Sequence, residues 1–595
     1  MNPAFSCATE YSRRLEARTQ ALHRAERLHR RVGNIRLLIF LAAAVVAWLR
    51  PGFWLLLPIF AFIALVIYHQ RVLKARDMAR RSIAFHERGI ERLEDRWAGK
   101  GEPGIRFSDP AHPYAEDLDL FGKGSLFELL CTARTRIGEA TLARWLLAPS
   151  SREEATARQL AVDELRARID LREDLALAGE NFRSGVHPEE LAAWAVAPAI
   201  HFPRHARVIA MAFAVTAFAL LIAFVATLFV NPRIRIALVS LGMLEGIFAL
   251  RFRAHVARVA HDVEQPGADL ALLAQVLRRL ERERFTSPRL TKLRAALEVE
   301  GLPASARIAR LNHLIELLDS RDNVFLRVFG PLLLWTTQTA FAIESWRQLS
   351  GPSVAGWIRA VGEIEALSAL AGYAWEHPQD PYPSFAAEGP AFQAEGLAHP
   401  LLPESQCVRN DVELNPERRM LIVSGSNMSG KSTLLRTVGV NAVLAMAGAP
   451  VRARRLALSP LCLGASIRVT DSLQGASSRF YAEITRLRRI LDLTRGPLPL
   501  LFLLDELLHG TNSHDRRIGA EAVVRSLLAR GAIGLITTHD LALADMAGSL
   551  TPPAANVHFE DRLEDGRITF DYLMRPGIVT KSNALELMRA VGLEV

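Results

Sequence analysis

Residues 425–433 read Gly-Ser-Asn-Met-Ser-Gly-Lys-Ser-Thr, the spacing of a loop that wraps phosphate. Gly425 and Gly430 let the backbone close on an anion where a Cβ would intrude, and Ser426, Asn427, Met428 and Ser429 line up N–H groups between them. Lys431 is placed to reach the β- and γ-phosphates, Ser432 to offer its hydroxyl to Mg²⁺, and Thr433 to begin the helix beyond it. The apolar run Met420-Leu421-Ile422-Val423 comes just before, so the loop joins a buried strand to a helix N-terminus with its partial positive charge. A Gly/Ser turn with a chance lysine would have no such frame. The expected ligand is ATP or GTP with Mg²⁺.

Two more apolar runs end in groups suited to hydrolysis. Residues 500–504 lead into Asp505 and Glu506. A carboxylate at the end of a strand beside a phosphate loop is placed to hold Mg²⁺, the role expected of Asp505. Glu506 is the expected base or positioner of an attacking water. The bland alternative, a carboxylate pair capping the next helix, lacks a reason to come after a phosphate loop. Residues 533–537 run into Thr538-His539-Asp540, which puts His539 on the same sheet edge as a γ-phosphate sensor.

With these residues in view, the chain resembles the MutS mismatch-repair ATPases. GSNMSGKSTLLRT matches that family's G-x-N-M-x-G-K-S-T, including Asn427 and Met428, which a general phosphate loop does not require. LLDELLHGTNSHD (503–515) resembles its D-E-x-x-x-G-T-x-x-x-D, and SSRFYAE (477–483) its S-x-F-x-x-E, at Ser478, Phe480 and Glu483. Thr538-His539, Thr580-Lys581-Ser582, the His399-Pro400 segment and the Asn410-Asp411 pair fall in family order. Residues 117–149 are similar to the opening of the family's helical core, with Leu142, Trp145 and Leu146 marking a buried face. The resemblance implies a homodimer with composite ATP sites, in which Ser478 of one subunit closes on ATP held by Lys431, Ser432, Asp505, Glu506 and His539 of the other. It also implies double-stranded DNA as a partner.

The sequence departs from the family in three places. Nothing resembling a mismatch-reading domain precedes residue 117. Cys407 stands where the family stacks an aromatic on adenine. Thr580-Lys581-Ser582 lies close to Val595, so neither a C-terminal dimerisation appendix nor a nuclease module is expected.

Before the core lie two apolar runs, 37–49 and 53–68, separated by Arg50-Pro51-Gly52. A second pair, 208–230 and 236–250, turns at Asn231-Pro232-Arg233-Ile234-Arg235. The 23 residues 208–230 carry no charge, enough to cross a hydrocarbon core of about 30 Å; Glu245 interrupts the last run. Buried hairpins of a soluble protein are the competing explanation. Residues 1–36 hold eight Arg against three Glu, and residues 71–100 nine Lys or Arg against five acids, whereas the first turn has only Arg50. That asymmetry puts both flanks in the cytoplasm, and the 36 residues before the first run argue against a cleaved signal. Arg233 and Arg235, in the second turn, run against the same rule.

The whole 595-residue chain is 50% hydrophobic with net charge +9, a balance that anionic lipid explains as well as nucleic acid does. Its four cysteines form no C-x-x-C pair, which points away from a zinc site or a disulfide framework. The expected fold class is α plus α/β: membrane hairpins and a MutS-like helical core and lever, then a P-loop, ABC-type ATPase domain. The expected segments are a basic helix (1–36), a transmembrane hairpin (37–68), a charged helix and linker (69–115) and a helical core with the second hairpin at 208–250 (116–375). A linker (376–396) and the ATPase domain (397–595) complete it. An Arg-rich stretch, Arg278-Arg279-Arg282-Arg284, reads as solvated helix surface more readily than as a phosphate grip. The expected protein is a multi-pass inner-membrane ATPase with its catalytic domain in the cytoplasm, acting with lipid, DNA and an unidentified protein partner. A membrane switch that no longer binds DNA is the alternative. An ABC transporter subunit is disfavoured, because Ser478-Arg479-Phe480 stands in place of LSGGQ.

Overall fold

Apolar periodicity carries most of the chain into helices. A computed structural model describes residues 3–49, 52–179, 188–198, 203–227, 230–320, 330–386, 389–426, 428–468, 479–508, 513–539, 544–550, 554–564 and 567–579. The chain divides into two units: Met1–Thr132 with Ala140–Glu173 and Ala366–Val595, and Ala133–Glu139 with Asp174–Glu365.

In the first unit, the N-terminal runs fold as the long helices Pro3–Leu49 and Leu56–Leu93, joined through Gly52 and one 3₁₀ turn, Phe53–Leu55. Their apolar ends stay uncovered, with Leu38, Phe40, Trp48, Phe53, Leu57 and Phe60 all exposed. The opposite ends are fixed by polar pairs on two buried carboxylates, Glu376 and Glu173. Tyr11 Oη donates to Glu376 Oε1 at 2.9 Å, and Arg92 Nε to Glu376 Oε2 at 2.7 Å. A Cβ on Gly89 would lie 2.7 Å from the Tyr11 ring, so only glycine lets the two helices meet there. Arg18 grips both oxygens of Glu173 at 3.0 Å. Burial pushes the Glu173 carboxyl up, but hydrogen bonds from His86, Arg18 and Ser82 outweigh it and hold its pKa down at about 2.

The same unit holds two sheets. The larger one orders its strands Arg567–Pro576, Ala555–Glu564, Met420–Ser424, Ile533–Thr538, Leu500–Leu504 and Cys462–Ser466. All neighbours run parallel except the first pair, an antiparallel hairpin at the edge. The Met420–Ser424 and Leu500–Leu504 strands are buried at every position, as expected for a sheet covered on both faces. Four shorter strands make the second sheet: Ser384–Phe385, Arg455–Leu458, Phe392–Leu397 and Asn410–Leu414. Residues expected only to link, 376–396, therefore supply sheet strands. Their six prolines and glycines obscured the alternation buried-exposed-buried at Phe392, Gln393 and Ala394.

The second unit is helical. Among its described elements are Arg204–Ala226, Pro232–Asp262, Glu264–Glu281 and Ala304–Asp319, with a two-residue antiparallel ladder turning through Glu300 and Gly301, both at positive φ. Asn231 caps the second of these helices, its side chain accepting from Arg233 N at 3.0 Å, with Pro232 in the first turn. Three described helices are long and apolar enough to cross a bilayer: Cys7–Leu49, Phe53–Leu93 and His205–Ala226. The expected return arm, 236–250, is helical but does not join them, since Arg235, Glu245 and Arg251 punctuate it. On the Arg-rich stretch, Arg279 is engaged by Asp174 at 2.6 Å, in keeping with a helix surface role.

One buried carboxyl in this unit carries a pH dependence. Glu365 Oε1 accepts from Arg134 N at 3.3 Å, and its other oxygen accepts from the Thr135 hydroxyl. Any Cβ at Gly138 would run into this carboxyl. Burial raises its pKa to about 8, against the hydrogen bonds from Thr135. The folded state thus keeps a proton that the unfolded chain gives up, so stability is greatest below the ordinary carboxyl range and falls as pH rises toward 8. The slope is at most about 1.4 kcal/mol per pH unit. Thermal melts of the wild type from pH 5 to 8 should lose midpoint temperature more steeply than melts of Glu365→Gln, which has no proton to lose. Parallel profiles would contradict this assignment.

Candidate functional site

The parallel sheet brings three strand ends to one edge. Register pairs Ser424 with Thr538, Ile536 with Leu504, and Leu504 with Ser466. The segments leaving these strands therefore emerge side by side: Gly425 to Gly430, Asp505-Glu506, and His539. In an open parallel sheet this carboxyl edge is where ligands bind.

The loop after Met420–Ser424 is tight. Gly425 (φ 147°) and Gly430 (φ 102°) both adopt backbone that favours glycine, and Met428 reaches φ 70°. A Cβ on Gly425 would meet Ser429 Oγ at 2.9 Å and Phe559 O at 3.0 Å. The helix Lys431–Ala447 begins at Gly430 with no side-chain cap, so its first N–H groups point into the loop. Lys431 is buried and arches back, donating to Gly425 O and Ser426 O, each at 2.8 Å. Burial lowers its pKa, against the pull of Glu506 and Asp505. Ser426 Oγ and Ser429 Oγ are buried with no hydrogen-bond partner among the described residues, so the loop holds donors with nothing yet to donate to. That is what an anion cradle requires.

Ser432 Oγ donates to Asp505 Oδ2 at 2.5 Å. The two oxygen donors expected to share Mg²⁺ therefore converge. The other Asp505 oxygen accepts from the Thr537 hydroxyl, and Thr537 Oγ1 in turn accepts from Glu506 N at 3.1 Å. This small network fixes the Asp505 carboxylate and turns Glu506 into left-handed backbone, φ 44°. His539 Nδ1 lies 3.3 Å from Glu506 Oε1, which ties the expected sensor to the expected base. Glu483 is buried and its Oε1 accepts from Leu508 N at 2.5 Å, so the third residue of the S-x-F-x-x-E pattern braces the turn after Glu506. Asn427 and Ser478 lie outside the described residues.

A cleft of about 730 Å³ opens over the loop, bounded by Lys431, Ser432, Asp505, Cys407, Phe559 and Tyr572. The last two were not singled out in the sequence. They arrive by register: His558 pairs with Ser424, which sets Phe559 against Gly425, and the hairpin returns Tyr572 to within 3.1 Å of where a Gly430 Cβ would stand. Asn410 anchors that hairpin, donating to Tyr572 O at 3.0 Å and accepting from Met574 N at 2.7 Å. Tyr572 is held at φ 54°, unusual for an aromatic residue. Cys407 instead accepts from His399 N through its sulfur at 3.3 Å. No local periodicity marks a residue brought in from so far along the chain; the only signal was an aromatic on a hairpin edge.

Residues 421–594 match the MutS domain V family. The chain is similar to "DNA mismatch repair protein MutS 2" of Halobacterium salinarum, 35% identical over 238 residues covering 39% of this chain and 27% of that protein. It is 36% identical to "DNA mismatch repair protein MutS" of Natronomonas pharaonis over 240 residues, 39% of this chain and 27% of that one. It is 32% identical to "Endonuclease MutS2" of Thermus thermophilus over 238 residues, 40% of this chain and 30% of that one. The matched stretch thus spans less than a third of each relative's length. The 425–430 loop, the Ser432–Asp505 pair and the Glu506–His539 pair are gathered on one sheet edge, and all of them lie inside the stretch, residues 421–594, that is similar to MutS domain V.

Proposed function

We propose that the chain is a membrane-anchored MutS-like ATPase that binds ATP with Mg²⁺ and uses its hydrolysis to switch a homodimer between closed and open states, in DNA repair or damage sensing. The observation that carries the reading is the Ser432–Asp505 hydrogen bond beside Lys431 at the helix N-terminus. Ser432 and Asp505 would hold Mg²⁺, which would supply neutralisation of the phosphate charge. Lys431 exchanges its loop carbonyls for phosphate oxygens, and Gly425, Ser426, Asn427, Met428, Ser429, Gly430 and Thr433 line the phosphates with N–H groups. Glu506 orients the attacking water and accepts its proton, while His539 holds the Glu506 carboxylate in place. Ser478 closes the site from the partner subunit. Closure favoured by the γ-phosphate and lost after hydrolysis is a population shift, which helical arms transmit.

The nucleobase packs on the Phe559 and Tyr572 side of the cleft, since Cys407 offers no ring. Exposed apolar ends on the N-terminal hairpin and on His205–Ala226 support lipid as the anchor, with the ATPase domain on the cytoplasmic side of the inner membrane. The hairpin occupying residues 3–93 favours a second reading, a membrane switch whose contact is an unidentified protein and not DNA.

Three results test these statements. Glu506→Gln should keep ATP affinity while slowing turnover by about 10²-fold or more, read as retained nucleotide in single-turnover assays; unchanged turnover removes the assigned role. Tyr572→Ala should weaken ATP binding about tenfold and Cys407→Phe should recover part of the loss; an unaffected Tyr572→Ala places the base elsewhere. Titration of duplex DNA against detergent-purified protein, with and without ATP, should give affinity that falls as salt rises, and no binding at low salt selects the second reading.

A further inference from the structure

A second cleft, remote in sequence from the phosphate loop, lies within the helical unit. It has a volume of about 390 Å³ and is lined by Gly242, Glu245, Gly246 and Ala249 on one side and by residues from Gly330 to Thr337 on the other. The spacing of 242, 245, 246 and 249 places all four on one face of the Pro232–Asp262 helix. Three of them are small, and that smallness is what leaves the space. A Cβ on Gly242 would come no nearer than 4.0 Å to Leu332, and one on Gly246 would meet nothing within 4 Å. Into this face is set a single carboxylate. Glu245 is only 2% exposed, and neither of its oxygens has a hydrogen-bond partner among the described residues.

An unpaired carboxylate in so apolar a place is costly, and a ligand that pairs with it would relieve that cost. The opposite wall is shaped for a ligand with an apolar body. Pro331–Leu333 forms a 3₁₀ turn, Leu334 is held at φ 46°, and the Trp335 ring is fixed by its Nε1 donating to Leu317 O at 2.7 Å. Trp335, Thr336 and Thr337 are among the lining residues, an indole able to pair with a cation and two side chains with hydroxyl acceptors. One carboxylate, two hydroxyls, an indole and leucines do not make the oxygen cage of a hard metal ion. They do suit an organic ammonium.

We propose that the Glu245 cleft binds a small organic cation, an amine with an apolar body, whose ammonium pairs with Glu245 while its body fills the space left by Gly242 and Gly246. The pairing gives the buried carboxylate its missing partner and lets the apolar body leave water. This site is independent of the nucleotide site in its residues and in its ligand.

The test uses full-length protein in detergent with two matched probes, 4-fluorobenzylamine and 4-fluorobenzyl alcohol, observed by ¹⁹F NMR titration. Wild type should bind the amine at least about tenfold more tightly than the alcohol. Glu245→Gln should abolish that preference and leave alcohol binding in place. Gly242→Leu, which fills the cleft and keeps the carboxylate, should lose both probes. Amine binding that is equal in wild type and Glu245→Gln, or survives Gly242→Leu, overturns the proposal, as does a wild type with no saturable amine binding.

Discussion

The hydrogen bond between Ser432 and Asp505 is the point at which this structure's architecture becomes chemistry. The residues lie 73 positions apart and meet because two parallel strands, Met420–Ser424 and Leu500–Leu504, flank Ile533–Thr538 in register. A slip of one residue in Leu500–Leu504 would send Asp505 to the opposite face of the sheet. The full burial of all three strands guards against such a slip, because every side chain along them is committed to a core. Thr537 then fixes the carboxylate from the central strand and takes the Glu506 N–H as well. Three strands thus converge on two acidic residues, and the strain at Glu506 is sustained by the packing beneath it.

Around that centre the loop is built with surplus donors. Lys431 satisfies itself on Gly425 O and Ser426 O, whereas the Ser426 and Ser429 hydroxyls have no partner among the described residues. A site that kept all its polar groups paired would have to break bonds to admit an anion. This one has donors in reserve, and its lysine can trade neutral carbonyl acceptors for charged oxygens, which make stronger hydrogen bonds. The same logic runs in reverse at Glu245, where an acceptor is left in reserve for a cation.

The N-terminal hairpin shows how a long exposed element can be held at one end only. The large apolar residues of its apolar half are exposed, but the opposite half is keyed by Tyr11 and Arg92 on Glu376 and by Arg18 on Glu173. Ion pairs to a buried carboxylate contribute less to net stability than their number suggests, but they specify position, since Glu376 or Glu173 left alone would be expensive. Glu376 ends a helix whose next residues lead into the small sheet carrying Asn410, and Asn410 holds Tyr572 over the phosphate loop. Hairpin and cleft are therefore anchored within one unit.

The 425–433 loop, the Asp505-Glu506 pair, His539 and the long apolar helices were legible in the sequence, because each is a local pattern: glycine at positions that need it, acids at the end of an apolar run, a sustained apolar stretch. The strands at 384–385 and 392–397 were not, since in short pieces between prolines the alternation is too brief to read, and their partners are distant. Phe559 and Tyr572 were equally silent. Their place at the cleft depends on His558 pairing with Ser424 and on Asn410 capturing the returning strand, neither of which has a local signature. Glu245 looked in the sequence like a blemish in an apolar run, and only the helix face it shares with Gly242 and Gly246, packed beside Trp335, gave it a cavity. Chemistry carried by neighbours in the chain was determined by the sequence alone; chemistry assembled across strands and helices waited on tertiary structure, because register and packing decide which distant side chains meet.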